Sequence, residues 1–406
     1  MKILYLHQYF ALPEKNAAGV RSYDIARRLV AAGHEVTIVT GNGFLKLEFE
    51  GKWANLKKDG INIWVYNDTY SNKLSFRKRI ATFLRFLLAA SGKAAQLKAD
   101  CVLATSTPLT IAIPALYKYR KDKTPFIFEV RDVWPEAPVA IGAINNPFVI
   151  SLLKKLERTA YKRSQHIVAL SDDMKHSIVA RTQTAPEKVS VIPNIAELSR
   201  FEQHTQQTGM MKKLIGFQPV KSLLYAGTLG KVNGISYLVD LAANTIMHDP
   251  EITFLVVGDG MEKETLVAYA AQRGVLNKNI FFLEPVTKMQ LPQLYAECTV
   301  ASSFVIPVKA LWANSANKFF DSLAAGKPVV INYRGWQAAV IEQYNAGFVL
   351  DDNTMNIVDE AERFCHYMSD TELLQQQGAN ARKLAQEQYS LDVAAGNYLK
   401  ILEHAV

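Results

Sequence analysis

The chain has 406 residues, 49% hydrophobic and 21% charged, with a net charge of +8. That length exceeds one ordinary core and suggests two domains, while the composition excludes a largely disordered chain. Residues 1–200 hold 30 Lys/Arg against 17 Asp/Glu, whereas 201–406 hold 16 against 21, so the first half is suited to an anionic partner. No zinc finger, basic zipper or aromatic single-strand platform accompanies the charge, which turns the reading away from nucleic acid and towards a membrane surface or a lipid-linked phosphate. No run reaches the roughly 18 apolar residues of a membrane span; the longest candidate, Ile80 to Ala95, contains Arg85 and Lys93. Cys101, Cys298 and Cys365 lie far apart without a CxxC pair, as expected of reduced thiols in a cytosolic protein.

In chain order the sequence alternates short apolar runs with helical periodicity, the pattern of parallel α/β units. The opening MKILYLHQYF reads as a first strand (2–7) and not as a signal peptide. A helix over 19–32, strands over 35–40 and 61–66 and a helix over 75–97 follow. Next come strand 101–104, helix 109–119, strand 126–130, helix 147–163, strand 166–170, helix 172–181 and strand 189–192. Residues 196–219 form a polar stretch rich in Gln and Thr that reads as a linker. The pattern then restarts with strand 222–226, helix 234–243, strand 253–257, helix 263–272, strand 280–283 and helix 289–296. Strand 300–304, helix 317–325, strand 328–332 and helix 336–343 complete it, followed by helical sequence. The expected organisation is a first domain over 1–200, a second over 201–389 and a terminal helix over 390–406.

Ligands of doubly wound sheets bind beyond the carboxyl ends of the strands, so the residues after each strand carry the chemical signal. After the first strand, Gly19 and Arg21 open a helix whose free N–H groups suit an anion. Its glycines do not make the GxGxxG of a nicotinamide enzyme. In the second domain Gly227-Thr228-Leu229-Gly230-Lys231 places glycines, a hydroxyl and a cation where a diphosphate could be cradled. Val257-Gly258-Asp259-Gly260 is a second close-approach turn. The strongest segment is Asn314 to Pro328: the amides of Ser315, Ala316 and Asn317 would face a phosphate, Lys318 would pair with it, and Asp321 would accept from ribose hydroxyls. In the first domain Arg131, Asp132 and Glu136 follow a strand. The basic aromatic stretch Phe76–Leu88 is expected to lie in an anionic membrane interface.

Among these motifs, Arg131-Asp132-Val133-Trp134-Pro135-Glu136 and Asn317-Lys318-Phe319-Phe320-Asp321 resemble the retaining glycosyltransferases of family four, in their bacterial surface-polysaccharide (O-antigen and capsule) branch. The resemblance implies the GT-B fold, two Rossmann-like α/β domains facing a central cleft, with the terminal helix, over 391–402, crossing back to the first domain. It implies that the second domain holds the nucleotide sugar and the first the acceptor. Gly19, Thr228, Gly258, Val286, Ser315, Ala316, Asn317 and Asp321 would bind the donor, Val286 through its backbone to the base. Lys318, Lys231, Arg131 and Asp132 would act in transfer, and Arg21 and Glu136 would meet the acceptor. Three positions depart from the family: Ala313 replaces the first glutamate of the E-x7-E pair, leaving Asn314 or Ser315 as substitutes; Thr228 replaces an arginine; and Arg131 replaces a histidine.

The expected activity is retaining transfer from a nucleotide-diphosphate sugar, most simply a UDP-sugar, to a lipid-linked or glycan acceptor in bacterial surface-polysaccharide synthesis. No DxD pair occurs in the chain, so no cofactor or divalent metal is expected. A cytoplasmic protein, peripheral on the inner face of the cell membrane, is the expected setting. A GT-B-like sugar-nucleotide epimerase and a non-catalytic nucleotide- or glycan-binding protein are the alternatives.

Overall fold

The computed structural model describes residues 1–14, 20–68, 76–106, 108–202 and 209–405, with side chains omitted for 76–80. The chain forms two units, Met1–Pro193 with Leu391–Val406, and Asn194–Ser390.

The first unit is built on an eight-stranded sheet of β1 (Lys2–Leu6), β2 (Glu35–Gly41), β3 (Trp53–Lys58), β4 (Ile61–Tyr66), β5 (Cys101–Thr105), β6 (Phe126–Val130), β7 (His166–Ala169) and β8 (Val189–Val191). Their order is β3-β4-β2-β1-β5-β6-β7-β8, parallel throughout except for the antiparallel β3–β4 pair. The central strands are buried along their whole length because helices cover both faces: every residue of β5 and β6 is buried, and all but Thr105 and Glu129 are apolar. The edge strand β3 carries Lys57 and Lys58 and is half-exposed, charges that blunt an open edge.

The second unit has six parallel strands: β9 (Lys221–Ala226), β10 (Ile252–Val257), β11 (Ile280–Leu283), β12 (Val300–Ser303), β13 (Val329–Ile331) and β14 (Gly347–Val349), ordered β11-β10-β9-β12-β13-β14. One face of the sheet packs through Leu224, Leu255 and Ala301 against Phe319, Phe320 and Leu323 of the Asn317–Ala324 helix. The other packs through Leu223, Phe254 and Val256 against Leu238 and Phe364. Residues expected to form a polar linker instead hold two short helices, Leu198–Glu202 and Met210–Ile215. Phe201 and Met211 are buried in the second unit's core, and Glu297 accepts from the N–H groups of Met210 and Met211 at 2.8 and 2.9 Å.

The Leu391–Ala405 helix returns to the first unit and packs beside the Arg21–Ala31 helix, with Arg28 2.8 Å from Asp392. All three cysteines are buried free thiols. Among the described residues no helix is long and apolar enough to cross a membrane.

Candidate functional site

In the second unit, the turns after β9 and β10 and the start of the Asn317–Ala324 helix assemble one cluster. Gly227 and Gly258 follow their strands directly, and the turns lie backbone against backbone: Leu229 donates to Asp259 O at 2.9 Å and Gly258 to Leu283 O at 3.1 Å. A Cβ on Gly258 would stand 1.9 Å from Gly227 O, and one on Gly260 2.2 Å from Leu229 O. Only glycine permits this approach. Thr228 and Lys231 are exposed at the rim. Val286 packs its side chain against the core, while its backbone N–H and C=O carry no hydrogen bond among the described residues.

The helix begins at Asn317 with Ala316 as its N-cap and no side-chain cap. Among the described residues the N–H groups of Ser315, Ala316 and Asn317 donate to no protein acceptor, so the positive end of the helix is left for an anion. Lys318 folds back along Gly227, where a Cβ would meet its Nζ at 3.0 Å and its Cδ at 3.1 Å. Its Nζ lies 5.0 Å from the centroid of the Tyr225 ring. Gly227 therefore makes room for Lys318. Burial lowers the Lys318 ammonium to about 8; Asp321 opposes the shift and Lys288 adds to it.

Two expectations need correction here. Asp321 does not present a free carboxylate: it is buried and ion-paired with Lys288, itself buried, a cation that no motif had singled out. Ser315 is not free to replace the missing glutamate. Its Oγ accepts from Asn194 N at 3.2 Å, and its carbonyl accepts from the Asn194 side chain. The Oδ1 of Asn314, by contrast, is buried without a partner among the described residues, as is Nε1 of Trp312. Ala313 stands where the family's carboxylate would, and the unpaired amide beside it is the remaining polar candidate.

In the first unit Gly19 lies outside the described residues. Arg21 is placed differently from expectation: it is 3% exposed and points into the domain. Its Nε donates to Glu129 Oε1 at 2.6 Å, Nη2 to Ile192 O at 2.8 Å and to Tyr398 OH at 3.3 Å, and Nη1 to Pro193 O. With Nε and both Nη atoms engaged inside the protein, it is placed as a structural residue and not as an acceptor contact. Burial would raise the Glu129 carboxyl, but Arg21 and Arg131 outweigh that, helped by hydrogen bonds from Thr105 and Tyr398, and hold it at about 2.

Arg131 and Asp132 follow β6 and are partly buried; the Arg131 N–H donates to Ser106 Oγ at 2.9 Å. Glu136 braces two helices through Arg181 at 3.0 Å and Ser177 at 2.9 Å, which commits its carboxylate to the fold. Sequence reading missed His7 and Gln8, just past β1. His7 Nδ1 and Gln8 Oε1 are buried without partners among the described residues. Burial and then the Arg131 charge press His7 down to about 3, against the pull of Glu129, so it is a neutral imidazole with one free ring nitrogen. The signal available was position alone, directly beyond a central strand.

Comparison with known proteins adds two family matches in succession. Residues 18–200 match Glycosyltransferase Family 4 and residues 210–384 match Glycosyl transferases group 1. The chain is 24% identical to spore coat protein SA of Bacillus subtilis (strain 168) over 66% of this chain and 73% of that one. It is 23% identical to the Escherichia coli UDP-Gal:alpha-D-GlcNAc-diphosphoundecaprenol alpha-1,3-galactosyltransferase, over 50% and 51% of the two chains. Among solved structures, Anabaena Alr3699/HepE in complex with UDP and glucose superposes with a TM-score of 0.71 at 16% identity, covering 99% of each chain. The fold is that of GT-B glycosyltransferases, with two Rossmann-like α/β units.

Proposed function

With a Glycosyltransferase Family 4 domain followed by a Glycosyl transferases group 1 domain, we propose that this chain transfers a hexosyl or N-acetylhexosaminyl group from a UDP-sugar to a lipid-linked saccharide, with retention, in bacterial surface-polysaccharide synthesis. One observation carries the reading: among the described residues the amides of Ser315, Ala316 and Asn317 are unpaired at the start of one helix, and Lys318 from its first turn lies along Gly227 of the neighbouring glycine turn. A leaving nucleoside diphosphate gains charge as the glycosidic bond breaks, and fixed donors aimed at that charge lower the barrier. The E. coli relative is named for a UDP-sugar and a diphosphoundecaprenol acceptor, which supports the donor base and the lipid-linked acceptor.

In this reading the base meets the backbone of Val286 and the diphosphate sits against Gly227, Thr228, Gly258 and Lys318, with Lys231 at its rim. The ribose reaches the Asp321–Lys288 pair. Asn314, whose amide oxygen lacks a partner, takes over contact with the donor sugar from the absent glutamate. Cations and amides supply the charge that a divalent metal supplies elsewhere. Arg131, with Asp132, faces the acceptor. The family resemblance implies a front-face route, in which the acceptor hydroxyl passes its proton to the departing phosphate oxygen as its own oxygen bonds to the anomeric carbon.

The test mixes UDP-sugars with and without an undecaprenyl-diphosphate-linked saccharide and measures UDP release. Release that depends on acceptor is expected, with Lys318→Ala slower by about 10²-fold, the scale of losing one charge-stabilising contact. Isomerised donor in the absence of acceptor would identify an epimerase instead, and donor binding without turnover a binding protein.

A further inference from the structure

We propose that the exposed face of the Pro147–Arg163 helix is a docking surface for an anionic lipid bilayer. The helix carries Lys154, Lys155, Arg158, Lys162 and Arg163 on its exposed positions. Its one acidic residue, Glu157, is turned inward and neutralised by Arg181 at 2.9 Å. The exposed charges of the helix are therefore all positive. At its N-terminal end stand bulky apolar side chains in water: Phe148 is 79% exposed and Leu152, one turn on, 58%. Asn146 caps the helix by accepting from the N–H groups of Phe148 and Val149 at 3.0 and 3.3 Å, so these side chains are held outward on a formed turn.

The apolar display continues sideways. The Phe76–Gln96, Ala112–Asp122 and Pro147–Arg163 helices pack in that succession, and the first two expose Leu84, Leu88 and Tyr117. Large apolar side chains exposed on three successively packed helices mark an interaction surface. Cations beside protruding Phe and Leu match an interface of acidic head groups over acyl chains.

The Phe76–Leu88 stretch, where membrane contact is expected from the sequence, belongs to this group of helices. In the Phe76–Leu88 stretch Thr82, Phe86 and Leu87 are buried; the side chains of Arg77, Lys78 and Arg79 lie outside those described. On that helix Leu84, Arg85 and Leu88 are exposed, and the Pro147–Arg163 helix adds five exposed cations. As a reason for binding membranes, the inference rests on the lipid-linked acceptor proposed above. The binding itself is measured without donor or acceptor, so the two readings fail separately.

The full chain is sedimented with vesicles of equal phosphatidylglycerol and phosphatidylcholine, and with phosphatidylcholine alone. Binding to the anionic vesicles only is expected. Lys154→Ser, Lys155→Ser and Arg158→Ser together should weaken it about 10²-fold, at roughly fivefold per cation, and Phe148→Ser with Leu152→Ser about tenfold. Every substitution is at an exposed position, and an unchanged melting temperature confirms folding; Lys155→Glu alone provides a second, milder variant. Transfer to a water-soluble acceptor should be unaffected. Wild-type vesicle affinity in both multiple variants overturns the proposal. So does loss in the charge variant alone with the apolar variant unchanged, because a polyanion such as RNA needs the cations but not Phe148 and Leu152.

Discussion

Lys318 gives the proposed donor site a pH dependence that can be worked out in advance. Burial holds its ammonium at about 8, so in the free protein about nine-tenths is charged at pH 7 and about one-tenth at pH 9. A bound diphosphate favours the charged form and raises that value. Above pH 7 the diphosphate group is itself almost fully ionised, so within the phosphate–ammonium contact the lysine is the group that changes. The affinity for UDP should fall about tenfold between pH 7 and pH 9, with close to one proton taken up on binding at pH 9. Isothermal titration in buffers of different ionisation enthalpy reads both quantities. Lys318→Arg, which stays charged, should flatten the profile. A flat profile in the wild type, or an unchanged slope in Lys318→Ala, would refute the reasoning.

The glycine turns and the buried charges of the first unit give two further expectations. Gly258→Ala places a Cβ 1.9 Å from the Gly227 carbonyl oxygen, and backbone cannot yield there, so the second unit should lose several kcal/mol of stability and UDP binding with it; a urea denaturation midpoint within error of wild type would contradict the packing. Acid should unfold the first unit in two windows. His7, depressed to about 3, charges in the unfolded chain near 6.5 but not in the native one, so stability falls as pH drops from about 6.5 towards 3. Glu129, depressed to about 2, contributes stability above about 4.3 that is lost as pH falls through its folded value. His7→Gln should remove the first window and leave the second, as followed by tryptophan fluorescence against pH.

The parallel core was legible because both faces of its strands are covered. FIFEV and ITFLVV are short, fully buried runs dominated by apolar side chains, with Glu129 and Thr253 as the polar exceptions, and the Lys263–Gln272 helix and Ile280–Leu283 strand fall where periodicity puts them. Strand β3 was not legible: WANLKK is an edge strand whose lysines face solvent, and its pairing with β4 is a hairpin property that no hydrophobic pattern encodes. The short helices at Leu198–Glu202 and Met210–Ile215 were hidden for a related reason, since each buries only one or two side chains. At the candidate site, backbone roles were readable from glycine and from the start of a helix. Partnerships between side chains were not. Lys288 meets Asp321 across 33 residues, and Asn194 reaches Ser315 across 121; no local spacing announces either.

Arg21 shows why such partnerships matter beyond one residue. Burying an ion pair yields little stability by itself, since desolvation offsets the attraction. Its consequence is that the carboxylate of Glu129 has one acceptable environment. Arg21 Nε and Tyr398 OH both lie 2.6 Å from Glu129 Oε1, and Arg21 also holds the carbonyls of Ile192 and Pro193. The cluster thereby joins the first helix, the end of β6, the last residues before the chain leaves the first unit, and the helix that returns to it. Glu129 lies two residues before Arg131. An unpaired charge at 2% exposure would be costly, and Tyr398 of the Leu391–Ala405 helix adds its hydroxyl to the Arg21 and Thr105 contacts that satisfy this carboxylate. The terminal helix is in this sense an integral part of the first unit's core, although none of its residues is proposed to touch a substrate.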